Sequence, residues 1–171
     1  MATRLNRMQF LRGDFKGEAA LRPPWAIVED VFVDTCDRCD RCIKACPSNI
    51  LFRGSAGFPE VNFSQAGCDF CQACVEHCPT QALSLDQSDY EAPWSYVAHV
   101  KDNCLSERGV VCRSCGDVCE TRTIKFKLVV GGSALLELNT ADCNGCGECV
   151  SICPVNAIAI KPIDHRAETL P

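Results

Sequence analysis

Sixteen cysteines stand in 171 residues, and their spacing narrows the chemistry open to them. Cys143, Cys146, Cys149 and Cys153, followed by Pro154, form a C-x2-C-x2-C-x3-C-P run. Cys36, Cys39, Cys42 and Cys46 before Pro47 repeat it, as do Cys68, Cys71, Cys74 and Cys78 before Pro79. A modified copy holds Cys104, Cys112, Cys115 and Cys119, with Leu105 to Val111 between its first two cysteines and Glu120 in place of proline. No cysteine is left over. Three thiolates at this spacing lie on one loop that can wrap a [4Fe-4S] cluster, and the fourth serves the neighbouring cluster. Gly145 and Gly147 let the backbone approach closely and adopt positive φ. The fourth cysteine is expected to begin a helical stretch, in which the proline fixes φ without removing a needed donor.

Serving the neighbour gives four sets of ligands. Cluster I takes Cys36, Cys39, Cys42 and Cys78; cluster II takes Cys68, Cys71, Cys74 and Cys46. Cluster III takes Cys104, Cys112, Cys115 and Cys153; cluster IV takes Cys143, Cys146, Cys149 and Cys119. Cys42 and Cys46 are about 6 Å apart along a helix, so the clusters they serve are neighbours. Structural zinc would use two separated C-x2-C pairs without the third step or the proline. A disulfide framework would need a secreted context. The stretched third run has two readings: a looser loop that exposes cluster III, or an insertion that leaves all four ligands intact. His77, His99 and His165 are expected to be structural or solvated. No phosphate loop, flavin fingerprint or acid–base pair accompanies the cysteines, so no catalytic residue is expected.

These runs need short elements around them. Ile50–Arg53 and Phe58–Phe63 read as two strands about a glycine turn, and Ala82–Leu85 as a closing strand. Ile124–Val130 and Ala134–Leu138 form a clearer hairpin around Gly131-Gly132-Ser133. Ile27 to Val33 leads into the first run. Pro24-Trp25 and Pro93-Trp94 precede Cys36 and Cys104 by similar intervals. The segments after the runs, Pro47-Ser-Asn-Ile-Leu, Pro79-Thr-Gln-Ala-Leu, Glu120-Thr-Arg-Thr-Ile and Pro154-Val-Asn-Ala-Ile, each lead toward a strand. This is a repeat within a repeat. The expected fold is α+β: two tandem bacterial 2[4Fe-4S] ferredoxin-like modules, with short strands and helices packed around clusters. Its parts are a basic arm (1–24), a first module (25–92), a second module (93–165) and a C-terminal tail (166–171).

Hydrophobic residues make up 47% of the chain, but that figure includes the cysteines, and only 7% is aromatic. Modules this small bury too little alone, so the clusters are expected to form the core and the apoprotein to be largely unfolded. Residues 1–24 carry five Lys/Arg against Asp14 and Glu18, a net of +3, which leaves −8 on the rest of a −5 chain. An acidic body suits a small electron carrier and argues against nucleic-acid binding. The arm has a rough helical stripe through Leu5, Met8 and Phe15. It is either a helix packed on the body or a disordered tail, or else a basic amphipathic segment that docks on a partner or a membrane surface. It has one arginine where a twin-arginine export signal has two, and Asp14, Lys16 and Glu18 interrupt any apolar stretch. No window reaches the ~20 apolar residues of a membrane span. Thiols kept reduced for cluster building favour the cytoplasm.

The element Arg7-Met-Gln-Phe-Leu-Arg-Gly13, the stretch Leu21-Arg-Pro-Pro-Trp25 and the four runs with their stretched third copy resemble the NapF family of ferredoxin-type proteins. That family is encoded with the periplasmic nitrate reductase. Many of its members carry paired arginines where this chain has Arg7-Met8. The resemblance implies a cytoplasmic, non-enzymatic iron–sulfur protein that binds the nitrate reductase catalytic subunit before export and assists its maturation by cluster assembly or reduction. The residues by themselves imply an electron carrier. An electron shuttle and an electron-transfer subunit of a larger oxidoreductase therefore remain as alternatives.

Overall fold

A computed structural model describes residues 20–86, 94–129 and 134–163. Those residues divide between two compact units, one drawn from positions up to 62 and from 71–89, the other from 63–70 and from 90 onward. The 1–19 part of the arm, most of the 86–93 linker, the Gly131-Gly132-Ser133 turn and the tail lie outside the described residues. No helix among the described residues is long and apolar enough to cross a membrane.

The first unit contains helix α1 (Glu29–Thr35), helix α2 (Arg41–Ala45), strands β1 (Leu51–Arg53) and β2 (Pro59–Val61), and helix α3 (Ala73–Glu76). β1 and β2 pair antiparallel, Leu51 opposite Val61, around a 3-10 turn at Ser55–Gly57. α1 had no clear sequence signature. Glu29 and Asp30 occupy its first turn, where negative charge is favoured, and Phe32 is its one buried residue. Helices α2 and α3 pack on each other.

Ala82–Leu85 is not a strand: only Leu83 forms a bridge, to Ala26. Two hydrogen bonds make it, Ile27 N–H to Ala82 C=O at 3.2 Å and Ser84 N–H to Trp25 C=O at 2.9 Å. Pro23 and Pro24 lie on one side with no N–H to offer, and α1 begins at Glu29 on the other, so the ladder cannot lengthen. Both prolines are fully buried. Arg22 donates to both carboxylate oxygens of Glu29, at 2.9 and 2.8 Å, and its guanidinium lies 5.2 Å from the Phe32 ring centre and 5.3 Å from that of Phe58. The end of the stretch assigned to the arm is thus fixed in the first unit.

The second unit contains strand β3 (Tyr96–Val100), helix α4 (Ser114–Asp117), strands β4 (Ile124–Leu128) and β5 (Ala134–Leu138), helix α5 (Glu148–Ser151) and strand β6 (Ile158–Pro162). β3 and β6 pair antiparallel from Tyr96–Pro162 to Val100–Ile158, and β4 and β5 form the expected hairpin, Ile124 opposite Leu138. α4 and α5 pack together as α2 and α3 do. Each unit therefore has one internal hairpin, one pairing between its ends and a pair of short helices packed on each other, to which the first unit adds α1. In the first unit the end pairing has shrunk to the single bridge. Phe63, Phe70 and Tyr96 meet Trp94 edge-on, with ring centres 5.9, 6.0 and 5.8 Å away. Trp94 also donates its indole N–H to Asn144 C=O at 2.9 Å, which ties the 63–70 segment to the loop of the fourth run.

Candidate iron–sulfur sites

The cysteine loops repeat in backbone conformation even where their side chains differ. In the three regular runs, the second residue after the first cysteine and the second before the third have positive φ. These are Arg38 and Asp40, Phe70 and Gln72, and Gly145 and Gly147. The latter member of each pair caps α2, α3 or α5. The corresponding residue of the third run, Arg113, has φ −134°. The seven residues between its first two cysteines form a closed turn, with Arg108 N–H bonded to Cys104 C=O at 3.2 Å and Val110 N–H to Leu105 C=O at 2.9 Å. Ser106 inside it is buried and donates to Ala134 C=O. Cys104 and Cys115 are buried and Cys112 is half-buried, while Glu107 to Val111 of the loop are exposed.

Each fourth cysteine stands just beyond its helix and does not begin one, contrary to the expectation from sequence. Cys46 is extended at φ −73° and ψ 112°, because a residue before proline is driven out of the helical region. After every fourth cysteine the third residue on has positive φ: Asn49, Gln81, Arg122 and Asn156. That turn swings later N–H groups back onto the sulfur. Leu83 N–H reaches Cys78 Sγ at 3.4 Å, and Ala157 N–H reaches Cys153 Sγ at 3.1 Å. Ala98 N–H, on β3, reaches Cys143 Sγ at 3.5 Å. Donors aimed at sulfur favour the thiolate, the form that binds metal.

In the first unit Cys36, Cys39 and Cys42 line a cavity of about 350 Å³, its open mouth included, together with Cys78 from the other run. In the second unit Cys104, Cys112 and Cys115 line one of about 330 Å³ with Cys153. The apolar walls are Phe32 and Leu83 in the first, Phe126 and Leu136 in the second. Burial pushes the Cys42 thiol up to about 12, with Cys36, Cys78 and Cys39 adding to it. Burial likewise takes Cys115 to about 11, with Cys104, Cys112 and Cys153 contributing. Cys149 is raised to about 12 by burial and by Cys146, Cys143, Cys115 and Cys119 around it. Of the remaining set, Cys46, Cys71 and Cys74 lie in the first unit and Cys68 in the 63–70 segment of the second.

Cys119 differs from the others. Burial alone would raise it, but the Thr123 and Thr121 hydroxyls, both within 3.5 Å of its sulfur, and the Ile124 and Thr123 N–H groups bring it down to about 7. Sequence reasoning did not single out these threonines. None of the sixteen cysteines is in a disulfide. Among the described residues no three His, Cys, Asp or Glu side chains stand at the spacing of a single bound ion. Four thiols line each cavity, with Asp37, Asp40 and His77 also on the wall of the first, and four thiols with N–H groups turned toward sulfur fit a cluster.

The 4Fe-4S dicluster domain matches residues 35–82 and again 67–123, and the 4Fe-4S binding domain matches 136–159. With the paired short helices and hairpins, this defines an iron–sulfur ferredoxin, an electron-transfer protein. The chain is 43% identical to the ferredoxin-type protein NapF of Haemophilus influenzae, over 95% of this chain and 97% of that one. It is 43% identical to NapF of Escherichia coli K12, over 85% and 87% of the two chains. The methylamine utilization ferredoxin-type protein MauM of Methylorubrum extorquens is 32% identical over 88% of this chain and 76% of that relative. The chain belongs to the NapF family of ferredoxin-type proteins.

Proposed function

We propose that the chain carries four [4Fe-4S] clusters and uses them, in the cytoplasm, to assist maturation of the catalytic subunit of a periplasmic nitrate reductase before its export. The ligand sets are those given by the spacing, each run supplying three thiolates to one cluster and a fourth to its neighbour. The observation that carries this is the company each outlying cysteine keeps: Cys78 beside Cys36, Cys39 and Cys42, and Cys153 beside Cys104, Cys112 and Cys115. Bound clusters supply one-electron redox chemistry. The protein supplies the thiolates, the N–H donors to them and the apolar walls that keep water off. No residue acts as nucleophile or general acid, and the protein is a carrier and maturation factor without a substrate of its own. The choice of client is supported by membership of a family encoded with that reductase.

The test is to delete the gene and assay the exported reductase with an artificial electron donor, which bypasses any physiological route. Low activity per exported molecule, with the reductase's own cluster missing, is the expected result. Full activity with the artificial donor, alongside a defect with the physiological one, would leave an electron shuttle instead.

A further inference from the structure

The fourth position after each fourth cysteine is filled by Ile50, Ala82, Thr123 and Ala157. All four are buried, with relative exposures of 3, 1, 2 and 1%. Three are apolar, as such a site demands; one carries a hydroxyl. Its Oγ1 lies 3.3 Å from Cys119 Sγ. Thr121 Oγ1 lies 3.5 Å from Cys119 Sγ and donates to Thr123 Oγ1, also at 3.5 Å. Cys153, the partner fourth cysteine of the same unit, has the Ala157 N–H on its sulfur and no hydroxyl at the matching position. Buried hydroxyls without partners are expensive, so Thr123 must be bonded, and the group it faces is a sulfur.

We infer that Thr123, backed by Thr121, is a tuning residue that raises the reduction potential of the cluster Cys119 serves. The inference rests on the proposed ligation of that cluster by Cys119, Cys143, Cys146 and Cys149. A thiolate sulfur has no proton, so the hydroxyl between it and Thr121 must donate toward sulfur. Thr121 donating to the Thr123 oxygen polarises that O–H and strengthens the bond. Reduction adds one negative charge that spreads onto the ligand sulfurs. A donor fixed on one of them favours the reduced form, and hydrogen bonds to sulfur are among the levers that set cluster potentials. The step is a bare electron transfer: an external one-electron reductant is oxidised and one cluster reduced, with no proton moved and no bond broken. An electron shared between the two clusters of the module is drawn toward the Cys119 side.

The experiment is a redox-poised titration of the full chain, prepared anaerobically with its clusters and followed by electron paramagnetic resonance. Cys119→Ser first identifies the titration step that belongs to this cluster. Thr123→Val, which keeps the shape and removes the hydroxyl, should lower the reduced-to-oxidised ratio of that step about tenfold at fixed potential, about 59 mV for one electron. Thr123→Ser should restore it. A step that stays put in Thr123→Val, or that moves as far in Thr123→Ser, overturns the inference and leaves the ligand assignment standing. If Cys119→Ser alters no step, the assignment itself falls and the inference with it. Should Thr123→Val lose its clusters, Thr121→Ala at the exposed hydroxyl is read instead. A smaller shift of the same sign supports the inference, and no shift overturns it.

Discussion

The residues with most at stake are those that hold the cysteine loops in left-handed conformation. Gly147 has φ +82°, and a Cβ there would stand 2.3 Å from the Phe63 ring. Gly147→Ala should therefore lose about 1–2 kcal/mol to backbone strain and about 1–3 kcal/mol to overpacking. Faster bleaching of the cluster absorbance under anaerobic denaturant would show it. Gln72 has φ +63° without glycine's freedom, at an exposed position. Relief of about 1–2 kcal/mol exceeds the roughly 0.5–1 kcal/mol that glycine's entropy costs. Gln72→Gly should accordingly slow the same bleaching, and faster bleaching would show that the strain is not there to relieve. The fourth cysteines make a separate prediction. Cys78→Ser should damage the cluster held by Cys36, Cys39 and Cys42, while Cys46→Ser should damage the one held by Cys71 and Cys74. Mössbauer spectra of the two variants should differ accordingly; the opposite pattern would undo the crossed assignment.

Among the elements, those whose form is dictated by local chemistry were legible in the sequence. The β4–β5 hairpin follows from two apolar runs about a glycine pair, and the cysteine loops from their spacing. Helix α1 was not legible because Val28 at its N-cap and Val31 within it are exposed, at 64% and 48%, which blurs any apolar stripe around Phe32. The strand at Ala82–Leu85 failed for a tertiary reason, since its only available partner is bounded by Pro24. The fourth cysteines are expected to begin helical stretches because spacing by four suggests a helical turn, whereas the following proline keeps Cys46 extended. Thr123 was visible in principle. Aligning the four segments after the runs puts a polar residue in an otherwise apolar column, but only the turn at Arg122 shows that its hydroxyl meets sulfur.

At the scale of the whole chain, thiols stand where a larger protein would have aliphatic side chains. Two of the five residues at the centre of the second unit's core are Cys115 and Cys149. Packing that depends on ligands is lost with them. Anaerobically purified protein should contain about 16 iron atoms per chain, four per cluster. Iron chelation should then abolish the circular dichroism of strands and helices together. Structure that survives chelation would show a core independent of metal. The arm makes the last prediction. Its residues 1–19 carry four Lys/Arg against Asp14 and Glu18, opposite in sign to the acidic remainder. Arg22 is pinned by Glu29, and Leu21 C=O accepts from Val61 N–H at 2.8 Å, so any truncation that spares the first unit must stop before residue 20. A chain lacking residues 1–19 should keep its iron content and cluster spectra. Its capture of the reductase precursor should weaken, and the salt dependence of that capture should become shallower, because complementary charge is screened within about 10 Å at 0.1 M salt. Loss of iron on truncation would place the arm in the core. Unchanged capture at every salt concentration would place the docking surface on the acidic body alone.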